Sequence, residues 1–424
     1  MSVLIRNASL LKGPDLIFIE RGFIQISDRG IITRVGTDQE LGCIERESTS
    51  ILDAEGLLLL PGLINAHTHI GDSIAKDFTS DPDLSSTVDP IIGVKRKILS
   101  RTDPSHLEVF MRNAVISMLK NGIVAFADFR EGGLDGVKLL RRAVSGLKIK
   151  PLALGRIEKY FESPYLHSNS GTDNKGSSVD FSVLPQEVFD VLDVSDGLGI
   201  SGTNENTDRS LAEYSKAVTN YDSRTSLGTK RLLAIHTAES QETAALSIKK
   251  SGLTEVERAI KFLQPDFVVH MTQATAKDIA AIATNKIGIV VCPRSNGLLG
   301  CGVPRIADMI NNGCVVGLGT DNVMLNSPDL FKEMDYIWKV SRATGVHQIS
   351  ARDILKMATV NGAEILHLNS GCIEPGRSAD MMFIDKSHVD LFPIHDPYAS
   401  IVQRAGQSSI TGLMINGEFV TVDS

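Results

Sequence analysis

GLINAHTH, residues 62–69, is a short apolar run that opens at Gly62 and ends in two histidines. A run of this length and composition suits a buried strand. Period two then sends His67 and His69 to the same face of it. Seven further runs share this character: GIVAFADF (122–129), KPLALGRI (150–157), GLGISGT (197–203), LLAIHTAE (232–239), DFVVHMTQ (266–273), GIVVCPRSN (288–296) and VVGLGTDN (315–322). Helical patterning separates them. HLEVFMRNAVISMLKNG (106–122) spaces its apolar residues by three and four and stops at a glycine. SLAEYSKAVTNY, TEVERAIKFL and TAKDIAAIATN behave in the same way. Eight strands alternating with helices over roughly 260 residues is the arithmetic of a (β/α)8 TIM barrel, an α/β fold. An open doubly wound sheet fits less well, because no glycine-rich phosphate loop follows the first strand.

Outward from this core the pattern changes. IFIERGFIQISDRGIITRVG near the N-terminus alternates apolar and polar residues between hairpin signals at Arg21-Gly22 and Asp28-Arg29-Gly30. ADMMFIDK, SITGLMING and EFVTVDS near the C-terminus are short β-prone runs with a turn at Asn416-Gly417. Both ends are expected to pair into one small β-sandwich domain, residues 1–60 with 370–424, around a barrel of residues 61–369. Two stretches break the rhythm. Residues 70–104 are polar and carry Asp72, Asp77, Asp81, Asp83 and Asp89, and residues 160–181 are rich in Ser, Gly and Asn. Loops of that length inside a compact domain are lids or disordered segments.

The composition narrows the class. The chain has 424 residues, 42% hydrophobic and 22% charged, and a net charge of −8. That is ordinary globular usage. An acidic chain without a basic cluster argues against nucleic acid and anionic membranes as partners. No apolar run approaches the roughly 20 residues of a membrane span, and no secretory leader is read at the start. The five cysteines are scattered without a CxxC pair, which fits a reducing cytoplasm better than a disulfide framework.

In a TIM barrel the chemistry gathers at the C-terminal ends of the strands. Of ten histidines, His67 and His69 end the first strand, His236 lies near the end of the fifth and His270 lies in the sixth. Asp321 closes the eighth. An isolated HxH is more often structural, since buried imidazoles can be satisfied by hydrogen bonds. Here His236 and Asp321 end two other strands of the same barrel. Three imidazoles and a carboxylate suit one divalent cation, zinc first, with iron or manganese as alternatives. Glu239 follows His236 by three residues. It is either a helix N-terminal acid or, beside an activated water, the group that carries protons.

PGLINAHTH, the histidine and glutamate of HTAE, His270, CPRSN (292–296) and GLGTDN (317–322) together resemble the amidohydrolase superfamily. They look most like its mononuclear branch of cytosine, guanine and adenosyl-type deaminases and s-triazine hydrolases. The resemblance extends over nearly the whole chain, since GCIEPGRSADMMFID and LMINGEFV look like that family's C-terminal β segment. It implies that His67, His69, His236 and Asp321 ligate one metal. It further implies that Glu239 shuttles protons, that His270 orients the attacking hydroxide, that Asp321 hydrogen-bonds it, and that the enzyme is a homo-oligomer, a dimer. Fourth-strand GLGISGTNENTD lacks the lysine of the binuclear branch.

The implied activity is a cytoplasmic aminohydrolase that releases ammonia from an aminated nitrogen heterocycle. A cyclic-amide or aryl-halide hydrolase on the same site, and a silent homologue, are the alternatives; the complete ligand set speaks against the last. Substrate contacts are expected from Asp72, Arg130, Glu131, Arg156 and Arg294. Asp72 follows HTH where related enzymes carry an apolar step or Gln, and Arg294 stands where a smaller residue is common, so the substrate stays open. Asp72 would either favour a substrate with N–H donors or positive charge, or cap the turn SIAKDF.

Overall fold

The computed structural model describes residues 2–41, 49–79, 81–88, 93–157, 186–225, 230–344 and 349–421. The Ser/Gly/Asn-rich stretch 160–181 lies outside the described residues.

The N-terminal region supplies β1 (Ser2–Lys12), β2 (Ile17–Ile26), β3 (Ile32–Thr37), β4 (Thr49–Asp53) and β5 (Leu57–Pro61). Barrel strands follow as β6 (Leu63–His69), β7 (Ile123–Arg130), β8 (Lys150–Gly155), β9 (Gly197–Ile200), β10 (Leu232–Thr237), β11 (Phe267–His270), β12 (Gly288–Val291), β13 (Val316–Leu318) and β14 (Asp321–Asn322). The chain ends with β15 (Met381–Asp385), β16 (Ile410–Ile415) and β17 (Glu418–Phe419).

Both ends share one mixed sheet in the order β17-β16-β15-β5-β1-β2-β3, and β4 pairs with β1 off this path. β1 changes partner along its length: Ser2–Arg6 pair with β4 and Ser9–Leu10 with β5. The exchange occurs at Asn7, at φ 61°. The sheet encloses its own core of Ile5, Leu10, Ile24, Leu59, Met381 and Phe383. Helix Pro397–Arg404, inside the span expected to be purely β, caps on Asp396 and turns Ile401 and Val402 into the barrel core instead.

β6 to β13 form a continuous parallel sheet, and β14 returns to pair with β6. Most strand residues are buried on both faces, as an enclosed parallel sheet requires. The eighth strand is therefore split. Val316–Leu318 pair with β12, Gly319 and Thr320 bridge, and Asp321–Asn322 pair with Thr68 and His69. Asn65 spans the break: its Nδ2 donates to Thr320 Oγ1 at 2.7 Å and its Oδ1 accepts the Thr320 N–H at 3.0 Å. Gly319 is required here, because a Cβ would sit 2.7 Å from the His67 Cβ.

The polar stretch 70–104 is largely structured where it is described. A 3-10 turn covers Ile70–Ala75 and a helix Val94–Arg101. The long helix Pro104–Lys120 begins at Asp103, whose carboxylate accepts the Ser105 N–H.

Candidate active site

His67, His69, His236, His270 and Asp321 converge at the C-terminal ends of β6, β10, β11 and β14. All five residues are buried or nearly so. His67 is 0% exposed and Asp321 2%. Burial pushes each imidazole pKa down, that of His69 to about 3. Neutral rings keep a lone pair, which is the form that binds metals.

Tautomers follow from the partners. His69 Nδ1 lies 3.1 Å from the Phe129 carbonyl and His236 Nδ1 lies 3.0 Å from the Ile200 carbonyl. A carbonyl only accepts, so both rings carry their proton on Nδ1. Both Nε2 atoms are then bare acceptors, and they face one another at 3.4 Å. Two lone pairs at that distance repel unless an electrophile lies between them. His67 adds to this: among the described residues neither of its ring nitrogens meets hydrogen-bond geometry, and its Nε2 is 3.3 Å from Asp321 Oδ1. The donor set therefore fits a divalent cation. Atoms that could hold a cation lie within 4.8 Å of one another in His67, His69 and Asp321, and likewise in His67, His236 and His270.

Phe129 forms the floor, its ring centroid 4.4 Å from that of His67. It fits because residue 199 is glycine; a Cβ there would be 2.6 Å from the Phe129 ring. Asp321 Oδ2 accepts the Ser295 hydroxyl at 2.6 Å. Burial raises the Asp321 pKa, but the surrounding His67, His270 and His69 outweigh it and hold the group well below the usual range. Asn296 Nδ2 lies 3.0 Å from His270 Nδ1. In this amide orientation Nδ1 accepts, so His270 carries its proton on Nε2, which points at Glu239 Oε2 3.5 Å away. Burial, and then the charges of Asp321 and Glu205, push the Glu239 pKa well above the usual carboxylate value. Backbone strain gathers at the same place: Ala238, His270, Met271 and Asp321 all have φ between 49° and 76°.

The site opens into a cavity of about 160 Å³ lined by His69, His236, Glu239, His270, Asp321 and Arg156. A larger cavity, about 510 Å³, lies beside the histidines rather than on them, between Arg130, Glu131 and the helix that carries Lys95. Lys95 and Arg156 border both.

The expected substrate contacts divide on this geometry. Only Arg156 lines the site cavity. Asp72 is 0% exposed. Its carboxylate neither caps SIAKDF nor meets the cavity; it accepts from Asn322 Nδ2 at 2.7 Å and from the Met324 N–H at 3.0 Å, tying the first strand's loop to the eighth. Glu131 sits behind His69, with Oε1 3.0 Å from His69 Nδ1 and 2.6 Å from Lys95 Nζ, and Oε2 2.7 Å from Arg130. Arg130 is buried between Glu131 and Asp128, its guanidinium against Gly71. Arg294 turns away from the mouth to Glu333 and the Ser327 carbonyl. The helix Pro293–Leu298 explains this, since the residues that face inward from it are Ser295 and Asn296. Neither was singled out, although both stand in CPRSN.

The amidohydrolase family model matches residues 58–420. The chain belongs to the amidohydrolase family. This amidohydrolase is 35% identical over 418 residues to a protein of Methanothermobacter thermautotrophicus named "Putative aminohydrolase", covering 99% of each chain. It is 28% identical over 440 residues to a 5-methylthioadenosine/S-adenosylhomocysteine deaminase of Acetivibrio thermocellus, covering 99% of this chain and 94% of the relative. Its fold matches the zinc-bound adenosine deaminase of Xanthomonas campestris with a TM-score of 0.81 at 20% identity, over 98% of this chain and 92% of that one. Among the described residues, no helix of the amidohydrolase is long and apolar enough to cross a membrane.

Proposed function

We propose that this amidohydrolase is a metal-dependent deaminase that releases the exocyclic amino group of an adenine-type nitrogen heterocycle as ammonia. The observation that carries the reading is the pair of bare, opposed Nε2 atoms of His69 and His236, with Asp321 and the Glu239–His270 pair beside them. The names of the relatives, deaminases of adenosyl compounds, support the substrate class. His67, His69, His236 and Asp321 would hold the cation. Zinc is proposed, because the set is nitrogen and carboxylate oxygen around a confined centre. When bound, such an ion supplies Lewis acidity that makes a water nucleophilic near neutral pH.

The protein's own groups do the rest. Asp321 accepts a hydrogen bond from the attacking water, held in place by Ser295. Glu239 takes a proton from the attacking water, and the burial that raises its pKa favours the protonated carboxyl that results. It passes that proton to the ring nitrogen as the water oxygen bonds to the amidine-type carbon, then takes the proton of the new hydroxyl and gives it to the amine as the C–N bond breaks and the ring carbonyl forms. His270 Nε2–H, 3.5 Å from Glu239 Oε2, would donate to the substrate beside it. Asn296 fixes its tautomer.

The test is ammonia release by zinc-loaded protein from 5′-deoxyadenosine, 5-methylthioadenosine, guanine, cytosine and an aminated triazine, with chloride release from a chlorotriazine as the contrast. Ammonia from an adenine-type compound is expected. Glu239→Gln should keep its zinc and lose about 10²-fold or more in rate, the range for a positioned acid–base group. Chloride release alone, or an active Glu239→Gln enzyme, would overturn the reading.

A further inference from the structure

Glu255 is 4% exposed and opens the short helix Glu255–Arg258, yet its carboxyl reaches two of the segments that leave barrel strands. Oε2 accepts the Ala238 N–H at 3.0 Å and the Thr243 hydroxyl at 3.1 Å. Oε1 lies 3.4 Å from Thr203 Oγ1 and 3.3 Å from Asn204 Nδ2. Ala238 and Thr243 follow β10, while Thr203 and Asn204 follow β9. One carboxyl thus joins two neighbouring strand mouths, and it lines the site cavity itself.

The bond to Ala238 matters most. Ala238 directly precedes Glu239 and has φ 49°, a left-handed conformation costly for a residue with a Cβ. In an ordinary extended or helical conformation the chain would carry Glu239 in another direction. Two hydrogen bonds hold the strained peptide: the Ala238 N–H on Glu255, and the Ala238 carbonyl on the Gln273 N–H at 2.8 Å. The second comes from the turn after His270, so the Glu239 and His270 turns are fixed to each other as well. Burial, and then the charge of Glu205, push the Glu255 pKa up to about 8. A protonated carboxyl still accepts from Ala238 through its carbonyl oxygen and can give its own proton to a threonine hydroxyl.

We propose that Glu255 is a positioning residue, which holds the left-handed Ala238 peptide and thereby aims Glu239 at His270 and the substrate. The proposal rests on the proton-carrying role given to Glu239 above. Its test compares Glu255→Met, which fills the space without an acceptor, with Glu255→Gln, which keeps a carbonyl oxygen for Ala238. Zinc-loaded Glu255→Met should lose about 10²-fold in kcat for 5′-deoxyadenosine, the scale of a 1 Å misplacement. Its KM and zinc content should stay near wild type. Glu255→Gln should recover most of that rate. A crystal structure of each variant gives a readout independent of turnover: Glu239 Oε2 should have left its place 3.5 Å from His270 Nε2 in Glu255→Met and kept it in Glu255→Gln. If the wild type releases no ammonia from any compound, the deaminase reading fails, and the crystal structures alone decide the positioning. An unmoved Glu239 in Glu255→Met, or a full kcat with only a lowered melting temperature, makes Glu255 a brace of the fold and overturns the proposal.

Discussion

Replacing Glu131 by Gln would separate a ligand's support from the ligand itself. Glu131 Oε1 lies 3.0 Å from His69 Nδ1, and Lys95 Nζ lies 2.6 Å from the same oxygen. A carboxylate behind a metal-ligating imidazole orients the ring and makes its free nitrogen more basic, and losing such a partner costs about 10–100-fold in metal affinity. Here the hydrogen bond of His69 Nδ1 goes to the Phe129 carbonyl, at 3.1 Å. Orientation therefore survives in Glu131→Gln and only the basicity contribution is lost. The expected loss lies at the low end, about 10-fold, or ~1.4 kcal/mol. Folding stability falls for a different reason. Burial raises the Glu131 pKa, but Lys95, His69 and Arg130 together bring it well below the usual value. A depressed carboxyl contributes stability that is present above its unfolded pKa and lost as pH falls through the folded one. The stability gap between wild type and Glu131→Gln should thus be full at pH 7 and shrink below about pH 4, near the unfolded value. Zinc affinity by competition with a chromophoric chelator, and urea unfolding from pH 3 to 8, measure the two effects. Unchanged zinc affinity with lowered stability would refute the link through His69.

Other perturbations have equally definite outcomes. Asp321→Asn or His236→Ala should abolish activity and sharply lower zinc content by mass spectrometry; full zinc in both would place the centre elsewhere. Asp72→Asn turns an amide N–H toward either Asn322 Nδ2 or the Met324 N–H, both donors. It should destabilise by about 1–3 kcal/mol in chemical denaturation, where a helix cap would have tolerated the change. Asp128 is buried, with a pKa raised to about 6 by burial first, against the attraction of Arg130. A raised carboxyl favours the folded state most below its unfolded pKa, and that advantage is lost as pH rises to the folded value. Asp128→Asn, which keeps an acceptor for the Ile70 N–H, should therefore gain on wild type between about pH 4 and 6 and run parallel above.

The barrel and its inner residues were legible because they obey periods. His67 and His69 share a face by the strand repeat, and His236, His270 and Asp321 end strands that the apolar runs mark. Directions beyond the strand ends have no such period. The sequence around Asp72 suggests a substrate contact at the first strand's mouth or a cap on the turn after it, but its partners Asn322 and Met324 lie some 250 positions away. Arg130 and Glu131 do end β7, yet a strand end does not say whether a side chain enters the mouth or passes behind its neighbour. For Arg294 the helix starting at Pro293 decides, and it brings Ser295 and Asn296 inward instead. Glu255 gives no local signal, since its four partners lie on two segments that follow other strands.

The split eighth strand makes ring closure and ligand assembly a single event. Asp321 arrives on the same two residues that complete the seam with Thr68 and His69. A chain lacking that last pairing has its imidazoles in place but no carboxylate among them. A cation bound by all four groups therefore acts as a clasp across the seam. Opening the ring there would break such ligation together with the Asn65–Thr320 bonds, the Thr320 N–H bond to the His67 carbonyl, the Thr68 hydroxyl bond to the Asp321 carbonyl and the two paired residues. Losing the cation should therefore weaken the join between the first and eighth strands.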